Sequence, residues 1–231
     1  MRTFQEQIAV SAVIPTLNEA AILPQTLAAL RSAAIVREIV VADGGSSDET
    51  IAIARAAGAR VVAAACGRGA QLAAGAAAAA GDWLLFLHAD CRLAPDCEGA
   101  VRAFVGAPDA ADRAGYFDLA LDDPAPAARR LERIVAWRCR LLSLPYGDQG
   151  MLIARSLYDA LGGFAPLPLM EDIELIRRLG RRRVARIGAC SLASARRYRR
   201  DGYWRRLLRN LSCLALYFAG LPPERIARLY R

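Results

Sequence analysis

Short apolar runs alternate with amphipathic stretches along the first third of the chain. "IAVSAVIP" ending at Pro15, "REIVVAD" ending at Asp43, "ARVVAA" after Gly58 and "DWLLFLHAD" ending at Asp90 each have the length of a buried strand. Helix-forming segments lie between them. Leu23, Leu27 and Leu30 share one helical face, and Pro24 fits only a first turn, so that helix starts near it. Ser46 and Glu49 stand at capping-box spacing ahead of Ile51 and Ala54, and Gly58 is placed to end that helix. The alanine-rich stretch from Arg68 to Ala80 is a strong helix former closed by Gly81.

Strand and helix in this alternation predict an α/β fold, with right-handed crossovers and a Rossmann-like, mostly parallel sheet flanked by helices. Ligands of such sheets gather beyond the carboxyl ends of the strands. Asp43 and Asp90 fall at two of those ends, and His88, the only histidine, lies just before the second. Farther along the pattern loosens. "GYFDLAL" reads as a strand, "PAARRLERIVAWRCRLLSL" as an amphipathic helix, "PYGDQG" as a turn, "GMLIAR" as a strand and "PLPLMEDIELIRRLG" as a loop feeding a helix. No internal repeat and no disordered linker interrupt the chain.

A length of 231 residues with 55% hydrophobic and 23% charged residues describes one globular core, not a disordered chain. The net charge is +8, and all 31 basic residues are arginine. Arginine forks suit phosphates and anionic headgroups, although a GC-rich coding sequence also produces an arginine-rich chain without lysine. The six cysteines form no C-x-x-C pair and one histidine cannot complete a zinc set, which fits a reducing cytoplasm. The polar start "MRTFQEQ" predicts neither signal nor transit peptide. "LSCLALYFAGL" falls well short of the roughly 20 residues of a membrane span.

Four acidic turns carry the candidate chemistry: "PTLNE", "ADGGSSDET", "LHAD" and "MED". "DGGSSD" is either a loop that lets a phosphate approach a helix start or a tight turn with a serine cap. The triplet "HAD" is either a hard-cation site or a strand end meeting solvent. In "MED" the carboxylates either complement a helix dipole or supply a general base.

Taken together, "VIPTLNE", "IVVADGGSSDET", "GRGAQLAAGAAAAAGDWLLFLHAD", "YGDQGMLIAR" and "GGFAPLPLMEDIEL" resemble, in the same order, the family 2 glycosyltransferases that use nucleotide-sugar donors. "LFLHAD" and "GDQG" look most like a bacterial subgroup associated with radical-SAM and selenium-related domains. The resemblance implies the glycosyltransferase A fold over residues 1–201, with a nucleotide-binding half (1–90) and an acceptor half (91–201), followed by a helical basic and aromatic segment (202–231). It implies that Pro15, Leu17, Glu19 and Asp43 hold the donor's base and ribose and that Arg68 lies near its base or phosphates. Asp90 would carry the metal under the diphosphate as the second aspartate of a D-x-D motif, whose first position is His88 here. A neutral imidazole ligates Mn²⁺ better than Mg²⁺, so a divalent metal is expected with Mn²⁺ favoured. By the same resemblance Asp172 would be the base of an inverting transfer, Glu171 would orient the acceptor or its neighbours, and Asp148 and Gln149 would bind the acceptor.

Two alternatives remain open on the residues alone. One is a non-catalytic protein of this fold that binds a nucleotide sugar or nucleic acid; the other is a nucleotidyltransferase, although "PTLNE" puts an acid where that chemistry wants a basic phosphate loop. No nucleic-acid partner is expected. The arginines and aromatics from Arg196 to Arg209 allow three placements: donor phosphate contact, a helix packed on the domain, or a peripheral helix on the inner membrane face meeting a lipid-linked acceptor.

Overall fold

The computed structural model describes residues 8–230. The N-terminal stretch read for targeting signals lies outside the described residues. Four strands, β1 (Val10–Thr16), β2 (Val36–Asp43), β3 (Arg60–Ala63) and β4 (Trp83–Phe86), alternate with helices α1 (Leu23–Ser32), α2 (Thr50–Ala56) and α3 (Arg68–Ala78). They pair in parallel in the order β3-β2-β1-β4, as the alternation predicts.

Two local details differ from the sequence reading. β4 stops at Phe86: the Leu87 N–H still reaches the Val13 carbonyl at 3.1 Å, and His88 to Asp90 then turn away as a loop at the strand's carboxyl end. The helix after β2 begins at Thr50, and Ser46 does not cap it. Its hydroxyl donates to Asp43 at 2.5 Å and accepts the Asn18 N–H, while Asp48 accepts the Thr50 N–H at 3.0 Å. A serine beside a buried carboxylate is drawn to the stronger acceptor.

The second half extends the same sheet. It comprises β5 (Cys91–Leu93), α4 (Cys97–Val105), β6 (Ala114–Leu121), α5 (Pro126–Leu142), β7 (Met151–Ala154), α6 (Arg155–Ala160), α7 (Glu171–Leu179) and β8 (Val184–Ala193). The full order is β3-β2-β1-β4-β7-β6-β8-β5. β7 runs against both β4 and β6, β8 runs with β6, and β5 runs against β8, so all strands except β5 and β7 share one direction. β8 escapes sequence reading because its buried positions are Ala185, Ile187, Ala189, Ser191 and Ala193, mostly too small to stand out as an apolar alternation.

One apolar core runs through both halves and includes Ile14, Leu85, Phe117, Leu152 and Ile173, all nearly inaccessible. The chain ends in α8 (Arg196–Asp201), α9 (Tyr203–Phe218) and α10 (Pro223–Tyr230). A smaller cluster of Leu169, Cys213 and Ile226 fastens α9 and α10 to the loop ahead of α7. No helix among the described residues is long and apolar enough to cross a membrane.

α3 is pinned at both faces. Its Gln71 amide donates to the Thr16 carbonyl at 2.6 Å and the Ala42 carbonyl at 3.1 Å, tying the helix to the ends of β1 and β2. Gly69 meets the loop before α7, and its N–H donates to the Leu167 carbonyl at 3.0 Å. A methyl at Gly69 would overlap the Ala165 carbonyl and lie 2.7 Å from the Leu167 nitrogen, so only glycine lets that loop reach the helix. Gly69→Ala is therefore expected to cost about 2 to 4 kcal/mol in a denaturant titration, an overpacking loss against rigid backbone; a loss below about 0.5 kcal/mol would mean that the loop moves freely.

Candidate active site

The strand directions bring distant segments to one edge. His88 and Asp90 follow β4; Tyr146 to Gly150 precede β7, which starts at that same edge because it runs the other way; Ser194 and Arg197 follow β8. Between them lies a cavity of about 100 Å³ walled by Arg68, His88, Asp90, Asp148, Asp172 and Arg197 and closed by Tyr198, Arg206, Asn210 and Tyr230 from the C-terminal helices.

Gly147 joins three of the motifs. Its N–H donates to Asp172 Oδ2 at 2.7 Å, and its Cα faces His88 so closely that a methyl would overlap Nε2. The other Asp172 oxygen accepts the Ile173 N–H at 2.7 Å. Met170, just before, takes a left-handed φ of 66°, a costly conformation for a side chain of that size, which aims the first turn of α7 at the cavity.

In and around the cavity lie buried polar atoms that accept or donate no hydrogen bond among the described residues. Tyr146 Oη, Asp148 Oδ1, Asn210 Oδ1 and both Glu171 carboxylate oxygens are enclosed and receive no hydrogen bond among the described residues. Each such group costs roughly 1–3 kcal/mol unless something else satisfies it, which is how a binding site differs from a core. Burial, opposed by Arg138 and assisted by Asp172 and Asp90, pushes the Asp148 carboxyl up to about 6.

Glu171 and Arg68 form a buried pair. Arg68 Nε lies 3.3 Å from Glu171 Oε1, and the glutamate is 1% exposed while a third of the arginine side chain meets solvent. Burial pushes the Glu171 carboxyl upward and Arg68 opposes it. Glu171 faces a smaller hollow behind His88 instead of the main cavity, so its observed partner is Arg68 and not the space expected for an acceptor.

His88, Asp90 and Cys91 have ligand atoms within 4.8 Å of one another. Burial and the Arg68 charge press the imidazole to its neutral form. Burial also raises the Cys91 thiol well above its ordinary range, so it stays protonated, donating to the Asp148 carbonyl at 3.4 Å. The usable donor set for a divalent cation is one imidazole nitrogen and the Asp90 carboxylate. That set fits a cation whose remaining ligands come from a bound diphosphate and water.

Pro15, Leu17, Glu19 and Asp43 lie at or just beyond the carboxyl ends of β1 and β2, and none of them lines the cavity itself. Pro15 is buried in the strand and Leu17 is exposed after it. Asp43 is 3% exposed and accepts from Thr16, Gly45 and Ser46. Burial would raise its pKa, but these hydrogen bonds outweigh it and hold the carboxyl below the ordinary range. Glu19 links this side to the cavity through Arg197, 3.5 Å away. Gln149 does not reach the cavity. Its amide is 1% exposed, donates to the Phe117 carbonyl and accepts from the Arg138 guanidinium, so it is not presented to the space expected for an acceptor.

Arg197, Tyr198 and Arg206, from the segment for which sequence reading leaves three placements open, line the cavity, whereas Arg138, beside it, is a position that sequence reading passes over. Arg138 had a signal: it shares the buried face of α5 with Leu131 and Val135, where a solvated arginine does not belong. In place it donates to the Leu144 carbonyl and lies 3.5 Å from the Tyr146 ring centre.

A family model described as "Glycosyl transferase family 2" matches residues 11–159. The chain belongs to glycosyltransferase family 2. It is 38% identical over 117 residues to PGL/p-HBAD biosynthesis glycosyltransferases of Mycobacterium tuberculosis (strain H37Rv) and Mycobacterium bovis (strain AF2122/97), a match covering 44% of this chain and 43% of theirs. The chain thus matches less than half the length of those relatives.

Among solved structures, glucosyl-3-phosphoglycerate synthase from M. tuberculosis in complex with Mn²⁺, UDP and glucosyl-3-phosphoglycerate superposes with a TM-score of 0.60 at 24% identity, over 94% of this chain and 82% of that one. The same enzyme with Mg²⁺ and UDP gives a TM-score of 0.60 at 23% identity and the same coverage. The likeness shows that the chain adopts the glycosyltransferase A fold, with its mixed but mostly parallel sheet.

A raised carboxyl makes folding weaker as pH climbs. Asp148 gains its proton in the folded state near pH 6 and, unfolded, only near 3.8. Stability from this group is full below the unfolded value and is lost as pH rises through about 6. Asp148→Asn is expected to stabilise the ligand-free protein at pH 7.5 by about 1 to 3 kcal/mol, with the gain vanishing near pH 4. Paired urea melts at the two pH values check this; equal stability at pH 7.5 would contradict the burial argument.

Proposed function

We propose that this family 2 glycosyltransferase moves a sugar from a nucleotide-diphosphate donor to an acceptor hydroxyl with inversion, Asp172 serving as general base. The observation that carries the reading is the meeting of Asp172, His88 and the Asp148 loop at Gly147, on the wall of a cavity whose polar atoms await partners. Membership of the family and the nucleotide-bound neighbours of like fold support the donor class.

Asp172 is held by two backbone N–H groups on a rigid helix start, so it can meet an incoming hydroxyl at fixed geometry and take its proton. Arg68 and Arg197 place positive charge on the donor side, and Glu171 acts as a positioning residue by holding Arg68. Asp148 Oδ1, unpaired and buried, accepts a hydrogen bond from a hydroxyl of the acceptor. Pro15, Leu17, Glu19 and Asp43 form the flank for base and ribose, with Asp43 acting mainly by shaping its loop.

Asp90 and His88 would hold the divalent cation. A cation bound there supplies positive charge against the leaving diphosphate. An imidazole in the donor set favours Mn²⁺ over Mg²⁺. The "LFLHAD" and "GDQG" stretches support a place in the subgroup associated with radical-SAM and selenium-related domains. Six free cysteines support a reducing, cytoplasmic setting, and the apolar and arginine-rich C-terminal helices beside the cavity are compatible with a lipid-linked acceptor.

Two measurements test the reading. A thermal-shift titration of the full chain with UDP, GDP, dTDP and CDP should give a shift for one nucleotide, corresponding to about 2.7 kcal/mol at 100 times its dissociation constant. Mn²⁺ should enlarge that shift, and Asp90→Ala should remove the enlargement while leaving the metal-free shift. No shift with any nucleotide would sink the donor assignment. Once a donor is known, Asp172→Asn should lower kcat by about 10²- to 10⁴-fold with nucleotide binding intact, since an amide cannot accept the proton. Transfer at the original rate would remove Asp172 from that role.

A further inference from the structure

α9 has two unlike faces. Arg206, Asn210 and Cys213 look into the cavity. On the opposite side Trp204, Leu208, Leu211, Ala215 and Phe218 follow one another at helical spacing, and all are exposed, Trp204 by 57% and Leu208 by 62%. A stripe of that size left in water marks an interaction surface.

α5 packs beside α9 and repeats the pattern. Its outward face carries Arg130, Arg133, Trp137, Arg140 and Leu141, with Trp137 64% and Leu141 49% exposed. Among the described residues no carboxylate pairs with Arg130, Arg133, Arg140 or Arg205. α9 contains no acidic residue at all, and the one acid of α5, Glu132, is turned inward to the Leu121 N–H and Arg129.

The geometry points to this double-helix face as a docking surface for an anionic lipid bilayer. Unpaired arginines around tryptophan and leucine match anionic headgroups above acyl chains, the arrangement of an interfacial helix. A second copy of the chain is the poorer occupant, because it would bring the same uncompensated arginines against these. A bilayer seated on the stripe would lie about one helix diameter, roughly 10 Å, from the cavity. The docking surface goes beyond the transferase reading and does not depend on it, since its test uses no turnover.

The full chain is mixed with vesicles of phosphatidylcholine alone or of equal parts phosphatidylcholine and phosphatidylglycerol, then floated on a density gradient. Binding to the anionic vesicles alone is expected, with tryptophan emission moving to shorter wavelength as Trp137 and Trp204 leave water. Trp204→Ser with Leu208→Ser, both exposed and outside the cavity wall, should keep the thermal midpoint and abolish the emission change. Arg133→Gln and Arg205→Gln should each weaken binding by roughly fivefold at low salt. No flotation with either vesicle, flotation that the serine variant retains, or a concentration-dependent dimer that this variant dissolves would each overturn the proposal.

Discussion

The reversal of β7 between β4 and β6 is the constraint on which the site depends. A purely parallel sheet puts every loop that follows a strand at one edge and every loop that precedes a strand at the other. Because β7 runs backwards, the segment before it, Tyr146 to Gly150, arrives at the edge already occupied by His88 and Asp90. β6 and β8 then resume the original direction and deliver Ser194 and Arg197 to the same place. The hydrogen-bonded register Trp83↔Ala154 to Phe86↔Met151 fixes the offset between the halves, and Gly147 supplies the close approach that the offset demands.

The electrostatics follow from that crowding. Asp90, Asp148 and Asp172 meet around a small cavity with Arg68 and Arg197 among them, while Glu171 and Arg138 stand just behind that wall. Burial lifts Asp148 and Glu171, while the same burial and Arg68 keep His88 neutral. Stability is given up here: unpaired enclosed oxygens and a left-handed Met170 are features that a structural core would discard. The C-terminal helices complete the enclosure, with Arg206 bonded to Asp201 and Tyr230 and stacked near Tyr198.

The helices α8 to α10 thus resolve a choice that sequence left open. Some of the arginine-aromatic segment is packed and lines the cavity, as Tyr198 and Arg206 do; some reaches across it toward Glu19, as Arg197 does; and some faces outward, as Trp204 and Arg205 do. One amphipathic period contained all of these placements, because periodicity reports which residues share a face and not what that face meets.

The sequence by itself determined the parallel first half, the helix starts near Pro24 and Arg68, the acidic end of β2 and the acidic turn after β4, and the family motifs, because burial period and turn chemistry are local. Only the tertiary structure decided that β4 ends at Phe86, that Ser46 serves Asp43 and not a helix end, and that Gln149 and Glu171 are held by Arg138 and Arg68. It alone decided which arginines are enclosed and which meet solvent. Ser46 and Asp43 are close in sequence, and there the choice is between a carboxylate and a helix end. The other outcomes are competitions for hydrogen bonds and counter-charges among partners that meet only in the folded chain, and local spacing carries no record of them.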